Sequence, residues 1–188
     1  MTRILGVDPG LTRCGVGVID LAAGRRVNLV SVDVYRSEPS LELSARIASI
    51  GNRIEELILR DKPEVIALER VYADVNVRSV MGTAQISGVV LLLANRHGLP
   101  ISMHTPTEVK AAVTGSGKAD KAQVGTMVAK ILGLAEIPKP ADAADSLAIA
   151  ICHAWRGAAA NMGSGESLTP AQAAWQAAER AAARKREG

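Results

Sequence analysis

The sequence has only two cysteines, no apolar run long enough to cross a membrane and little net charge. Cys14 and Cys152 stand alone in apolar stretches, a setting typical of buried free thiols rather than of a disulfide or a cysteine metal site. Residues 1–8 lack the basic and then apolar order of a secretory leader. These absences predict a cytoplasmic protein that does not span a membrane.

The overall charge does not identify a partner. The formal net charge is +3, and residues 179–187 alone hold four basic and two acidic side chains. Contact with a nucleic acid would therefore depend on local basic clusters and not on the charge of the whole chain.

The apolar pattern begins as strands. Residues 3–8 and the runs that start at Cys14 and Val27 have the composition of strands, and short turns such as the one at Pro9 separate them. Three strands joined by short turns predict an antiparallel meander. The continuous apolar run that ends at Glu69 predicts a central strand covered on both faces.

Apolar residues spaced by three and four predict helices in much of the remaining sequence. The predicted elements after the meander, apart from the strand that ends at Glu69, are helices over about 40–60, 76–97, 106–113, 121–132 and 141–156 and a short strand over 99–105. A meander followed by strands separated by helices predicts an α/β domain with one mixed sheet and helices on both of its faces.

The chain beyond these elements has a different composition. Residues 157–168 are small and polar, as in a linker, and the Ala-rich run after Thr169 favours a marginal helix or a disordered tail. We therefore predict one domain over residues 1–156, and a linker with a basic tail over residues 157–188.

Four carboxylates occupy positions where the pattern otherwise predicts core. Asp8 and Glu69 each close an apolar strand, and both leave the sheet at the same edge if the two strands are central and parallel. Asp142 and Asp145 lie one turn apart at the start of a predicted helix, so their like charges repel unless a cation lies between them. The alternative for this pair is a set of ordinary exposed acids in a first turn.

Oxygen ligands without a histidine or cysteine set suit a hard divalent cation such as Mg²⁺ or Mn²⁺ better than zinc. Two such ions, roughly 3.5–4 Å apart, form a site that hydrolyses phosphodiesters. The predicted catalytic and metal-binding residues are Asp8, Glu69, Asp142 and Asp145.

Five stretches of the sequence carry a resemblance to one enzyme family. They are GVDPGLTRCG near the start, ALERVYADVN at 67–76, GTAQISG at 82–88, HTPTEVKAAVTGSGKADKAQV at 104–124 and DAADSLAIAICH at 142–153. Together they closely resemble the RuvC family of crossover junction endodeoxyribonucleases, the Holliday junction resolvases. The resemblance covers about residues 3–156 and implies an RNase H-like fold, a five-stranded mixed sheet with helices on both faces.

The resemblance also implies an activity. It indicates a structure-selective endonuclease that resolves four-way DNA junctions by paired symmetric nicks, leaving 5′-phosphate and 3′-hydroxyl ends, in homologous recombination and DNA repair. It implies a homodimer, two Mg²⁺ ions per subunit with Mn²⁺ as a substitute, and a branch-migration helicase complex as a partner. The family's metal-binding carboxylates fall on the four acids identified above.

Candidate DNA-binding residues follow from the same resemblance and from the local arrangement of basic residues. Lys110 and Lys121 occupy positions that hold the DNA backbone in the family, and Lys121 also lies in a first helical turn, where free N–H groups bind phosphate. Lys118 clusters with them, and Arg78 follows the loop before the long helix. Tyr72 stands where the family often has a phenylalanine wedge, and a phenol still stacks on a base.

The helix predicted over 76–97 is apolar on more than one face. One face carries Val77, Met81, Ala84, Gly88 and Leu91, and the neighbouring face carries Val80, Thr83, Ser87 and Val90. We take the second face as the candidate subunit interface, since two symmetric nicks require two active sites. The alternative is that this helix is simply buried.

Three other functions stay open from the sequence. The stretch DPGLT also resembles the first phosphate loop of actin-like and sugar-kinase ATPases, although no second such loop follows. A related RNase H-like enzyme would act on RNA, and a non-catalytic module would bind junctions without cutting them. The histidines, His97, His104 and His153, have no spacing that indicates a ligand set, so we take them as structural or solvated.

Overall fold

A computed structural model of the chain describes residues 1–70 and 77–162, with the side chains of 77–79 and 157–162 excepted. The strands in these ranges are β1 (Thr2–Asp8), β2 (Arg13–Leu21), β3 (Val27–Arg36), β4 (Val65–Glu69) and β5 (Ile101–His104). The helices are α1 (Leu43–Asp61), α2 (Val77–Arg96), α3 (Pro106–Thr114), α4 (Lys121–Leu132) and α5 (Ala141–Met162). None of these helices is both long and apolar enough to cross a bilayer.

The strands form one five-stranded sheet in the order β3-β2-β1-β4-β5. β1 pairs antiparallel with β2, and β2 pairs antiparallel with β3, which confirms the predicted meander. β4 is parallel to both β1 and β5. The fold class predicted from the sequence, an RNase H-like α/β domain with a mixed sheet, is therefore confirmed.

The two faces of the sheet bury different hydrophobic clusters. Along β1, Leu5 and Val7 pack with α1 and α2, whereas Ile4 packs with the cluster that contains α3, α4 and α5. Because successive side chains of a strand point to opposite faces, Asp8 belongs to the same face as Ile4. The same alternation along β4 places Glu69 on that face too, since Ala67 packs against the α5 cluster.

Glycines in β1 and β2 let α5 lie directly on the sheet. A Cβ atom at Gly15 would collide with the carbonyl oxygen of Asp142, and one at Gly6 would collide with that of Ser146. This close approach places the first turns of α5 over β1 and β2.

α5 continues six residues beyond the predicted end at Arg156. Residues 157–162, predicted as the start of a linker, are helical, and the alanines in this stretch have high helix propensity. The contacts within the chain group Met1–Trp155 into one compact unit, next to the predicted boundary at 156. The Ala-rich run after Thr169 lies outside the described residues, and the domain division stays a prediction.

The interface predicted on α2 requires a correction. Ser87 and Val90 are buried within the chain, packed towards the sheet and α1, whereas Met81, Leu91 and Leu92 are 54%, 40% and 55% exposed. The predicted interface face is therefore turned towards the core at Ser87 and Val90, whereas Val80 and Thr83 are half-buried. Both apolar faces of this helix carry small and apolar residues, so the sequence pattern alone did not show which one meets the core.

Candidate metal and nucleic-acid site

Two parallel strands bring the first two acids together. Val7 of β1 pairs with Leu68 of β4, so the following residues, Asp8 and Glu69, leave the sheet side by side at the edge predicted from the sequence. Strand register thus fixes the spacing of these carboxylates without help from any loop.

Asp145 joins this pair from α5. It lines a cavity of about 230 Å³ together with Asp8 and Glu69, and Lys110 of α3 and Lys121 of α4 complete the polar part of the lining. The Lys121 Nζ atom lies 3.0 Å from Asp145 Oδ2. Three predicted carboxylates and two predicted DNA-contacting lysines therefore share one cavity.

The carboxylates in this cavity repel one another. Burial, followed by the charges of Glu69, Asp145 and Asp142, raises the pKa of Asp8 to about 8, while Lys121 opposes that rise. The pKa of Glu69 is also raised, by burial and then by Asp145, against the effect of the two lysines. Such shifts show negative charge for which the protein's own cations compensate only in part.

Asp142, the fourth predicted carboxylate, has a different partner. Its Oδ2 atom lies 3.1 Å from Arg13 Nε, and it lines a neighbouring pocket rather than the cavity of the other three acids. Its charge still raises the pKa of Asp8. The expected convergence of four acids is therefore seen for three of them, because the guanidinium of Arg13 holds the fourth.

Among residues 1–70 and 77–162, no three Asp, Glu, His or Cys side chains have the arrangement of a formed metal site. In this conformation Lys121 and Arg13 provide the positive charge next to Asp145 and Asp142. The donor chemistry nevertheless fits a hard divalent cation, because the acids that line the cavity are clustered carboxylates.

The lysines are positioned by helix starts. The side chain of Asp120 accepts a hydrogen bond from Gln123 N, and the side chain of Gln123 accepts one from Asp120 N, which fixes the first turn of α4 and with it Lys121. The same capping box, between Thr105 and Glu108, fixes α3, the helix of the cavity-lining lysine Lys110.

The other predicted DNA-binding residues are less well defined. Lys118 is exposed in the loop before α4 and does not line the cavity. Arg78 belongs to the first turn of α2, but its side chain lies outside the described residues, as does all of Tyr72. Their roles stay predictions.

The structure reveals contacts that the sequence analysis missed. No sequence pattern indicated the ion pair of Arg13, because its partner on α5, Asp142, is far away in the chain. His104 Nε2 lies 3.2 Å from His153 Nδ1, and burial lowers the pKa of His153, so two histidines without any suggestive spacing form a pair. His97 Nε2 lies 2.8 Å from Glu55 Oε1. None of the three histidines lines the carboxylate cavity.

Known proteins match this chain along most of its length. The family described as "Crossover junction endodeoxyribonuclease RuvC" matches residues 4–153. A protein of that description from Leifsonia xyli subsp. xyli is 54% identical over 195 residues, covering 97% of this chain and 94% of the relative. Another, from Saccharopolyspora erythraea, is 61% identical over 154 residues, covering 82% and 77%.

Solved structures agree with this match. T. thermophilus RuvC in complex with Holliday junction substrate has a TM-score of 0.80 and 33% identity, covering 89% of this chain and 100% of that one. The yeast mitochondrial Holliday junction resolvase Ydc2 has a TM-score of 0.58 at 15% identity, covering 83% and 81%, which shows a shared fold alone.

Proposed function

This chain belongs to the RuvC family of crossover junction endodeoxyribonucleases, and on that premise we propose that it resolves four-way (Holliday) DNA junctions by metal-dependent hydrolysis. The observation that carries the proposal is the cavity that Asp8, Glu69 and Asp145 share with Lys110 and Lys121. Clustered carboxylates suit divalent ions, and ammonium groups suit a phosphate. The cavity therefore offers groups for both the metal ions and the DNA backbone.

We assign the metal ligands to Asp8, Glu69, Asp145 and Asp142, the last of which has to leave Arg13 to take part. The proposed cofactor is Mg²⁺, two ions per subunit, with Mn²⁺ as a substitute. When bound, such ions lower the pKa of a water molecule and stabilise negative charge on the leaving oxygen. The strand ends contribute by holding two of the carboxylates at a fixed spacing beside the substrate.

The lysines then hold the DNA backbone. Lys121 and Lys110 face the carboxylates and are proposed to bind oxygens of the phosphate that is cut, with Lys118 and Arg78 contacting the backbone further away. Tyr72 is proposed to stack on a base at the junction. In the reaction a water oxygen forms a new bond to phosphorus and the bond to the 3′ oxygen breaks, which gives 5′-phosphate and 3′-hydroxyl ends.

Paired nicks require two copies of the site, so we propose a symmetric homodimer. The exposed face of α2, with Met81, Leu91 and Leu92, provides apolar surface for such a contact. A branch-migration helicase complex is the proposed partner on the same junction, and the proposed compartment is the cytoplasm.

A synthetic four-way junction, incubated with the full chain and Mg²⁺, tests the function directly. Symmetric nicks in two strands of like polarity, with ends that a ligase reseals, are the expected result. A linear duplex of the same sequence is the matched control and should remain intact. Tight junction binding without any nick in Mg²⁺ would favour the non-catalytic module instead.

The remaining alternatives are separated in the same assay. Faster cleavage of RNA duplexes or RNA–DNA hybrids than of the junction would identify an RNA-directed enzyme. Steady turnover of ATP would favour an ATPase instead, the function indicated by the resemblance of DPGLT to an ATPase phosphate loop.

A further inference from the structure

A second pocket lies beside the carboxylate cavity and is basic. It has a volume of about 510 Å³ and is lined by residues Gly10 to Arg13, Arg46, Gly82, Thr83 and Asp142. It shares no described lining residue with the carboxylate cavity. Two guanidinium groups face one carboxylate here, so the lining carries a net positive charge.

The two arginines of this pocket are held differently. Arg46 donates from Nε to Ser37 Oγ at 3.0 Å and from Nη2 to Thr12 Oγ1 at 2.9 Å, which fixes its guanidinium against the loop after β1. Arg13 pairs with Asp142, and its side chain is 56% exposed. The guanidinium of Arg46 is therefore held by neutral hydroxyl groups. That of Arg13 is held by Asp142, which the proposed function requires as a metal ligand.

The charge of the pocket depends on where Asp142 binds. While Asp142 pairs with Arg13, one positive charge in the pocket is compensated. When Asp142 serves as a metal ligand, the guanidinium of Arg13 loses its partner in a pocket that the tethered Arg46 also lines. Two uncompensated guanidinium groups lining one pocket form a strong binding site for a phosphodiester, since each offers several donors in a fixed fork.

We propose that Arg13 exchanges partners: it neutralises Asp142 in the metal-free protein, and it binds a phosphate of the DNA backbone together with Arg46 once Asp142 holds metal. This inference rests on the proposed function. Asp8 lines the carboxylate cavity and Gly10 lines the basic pocket, so the phosphate bound here lies next to the one that is cut. Metal binding and DNA binding are then coupled through a single side chain.

The first test measures metal binding without DNA. Arg13→Gln removes the competing charge, so calorimetric titration with Mg²⁺ should give an affinity about two- to five-fold tighter than that of the unchanged protein, the range expected for a partly exposed ion pair. Arg26→Gln is the matched control, because Arg26 is exposed and its guanidinium donates a long hydrogen bond, 3.5 Å, to the backbone oxygen of Ala23. Its affinity for Mg²⁺ should not change.

The second test measures junction binding in EDTA and in Ca²⁺, with nicking followed on a denaturing gel. In EDTA, Arg13→Gln should bind the junction as the unchanged protein does. In Ca²⁺ it should bind about five-fold more weakly or worse, with a shallower salt dependence, because a phosphate contact is missing. Arg13→Lys, which keeps a charge, should recover part of that loss.

Equal Mg²⁺ affinity for Arg13→Gln and the unchanged protein would overturn the exchange, and so would a loss of junction affinity that is the same in EDTA and in Ca²⁺. These results are distinct from a failure of the proposed function. If the unchanged protein binds neither metal nor junction, the function itself is wrong. If it binds and cuts while Arg13→Gln matches it in every measurement, only the role of Arg13 is wrong.

Discussion

The two faces of the sheet are built from the same strands but present different groups to the helices that cover them. On the α1 and α2 face, β1 presents Leu5 and Val7 to a cluster of large apolar side chains. On the α5 face the same strand presents Gly6 and then Asp8, so a helix backbone lies on the glycine and a carboxylate follows at the strand end. Both faces bury apolar clusters, but alternation along this strand places a carboxylate only on the α5 face.

The difference between the two faces explains how a cluster of mutually repelling acids is held in place. The α5 face binds the helix of Asp142 and Asp145 through close backbone approach, and the energy that keeps the sheet folded comes largely from apolar burial. Burial, and then the charges of the neighbouring acids, raise the pKa of Asp8, so its charged form is disfavoured in this site. Substitutions on the two faces should therefore have opposite effects on activity and stability.

The largest expected effect is the loss of cleavage when a strand-end carboxylate becomes an amide. Asp8→Asn or Glu69→Gln should slow junction nicking on the order of 10³-fold or more, because a metal-binding oxygen is lost while the shape is kept. Junction binding, measured by gel shift in Ca²⁺, should persist. Loss of binding together with cleavage would mean that these acids are structural.

Truncating a buried side chain on the α1 and α2 face should lower stability and leave nicking unchanged. Ile54 of α1 is fully buried, so Ile54→Ala should lower the free energy of unfolding by about 2–5 kcal/mol, measured by urea denaturation. Nicking per folded molecule should stay the same. A specific loss of nicking would show that the two faces are not separate.

A glycine beneath α5 should affect both properties at once. Gly15→Ala places a methyl group against the carbonyl oxygen of Asp142, so α5 has to move and we expect a loss of about 1–3 kcal/mol in unfolding free energy. Nicking should fall as well, since Asp142 moves with the helix. Gly24→Ala, at a turn with no atom near the added Cβ but with positive φ, controls for a purely local backbone strain.

A further expected effect concerns stability without metal. Because burial and neighbouring acids raise the pKa of Asp8 to about 8, the folded protein binds this proton more tightly than the unfolded chain does. The resulting stability is complete at low pH and is lost as the pH rises through the folded pKa. In EDTA, Asp8→Asn should therefore melt at a higher temperature than the unchanged protein at pH 8, with little difference at pH 4.

That prediction has a clear contrary result. If Asp8→Asn lowers the melting temperature in EDTA at pH 8, the carboxylate stabilises the metal-free fold and the repulsion inferred from its environment does not dominate. Adding Mg²⁺ should remove the advantage of the variant, because only the unchanged protein gains the full set of ligands.

Much of this arrangement follows from local sequence. The meander, the central apolar strand and the acids at strand ends were predicted because side-chain alternation and strand direction alone decide them. Lys110 and Lys121 were identified through the resemblance to a known family. The capping boxes at Thr105 and Asp120 explain how the helices of these lysines are positioned. The catalytic roles of these residues stay predictions.

Other features could not be predicted, since they depend on contacts between distant parts of the chain. The glycines of β1 and β2 are visible in the sequence, but the helix that lies on them is not. α2 offers two apolar faces of similar character, and its burial is decided by close packing, with Gly82 against Leu11 and Val89 against Gly51. The pairing of Arg13 with Asp142 likewise joins the two ends of the domain.

The central claim is that four carboxylates from two strand ends and one helix start bind divalent ions together. The most direct test is anomalous diffraction from crystals soaked in Mn²⁺. We expect anomalous peaks ligated by Asp8, Glu69, Asp145 and Asp142, with Arg13 no longer paired to Asp142. Absence of a peak at this edge of the sheet, under conditions in which the protein cuts junctions, would contradict it.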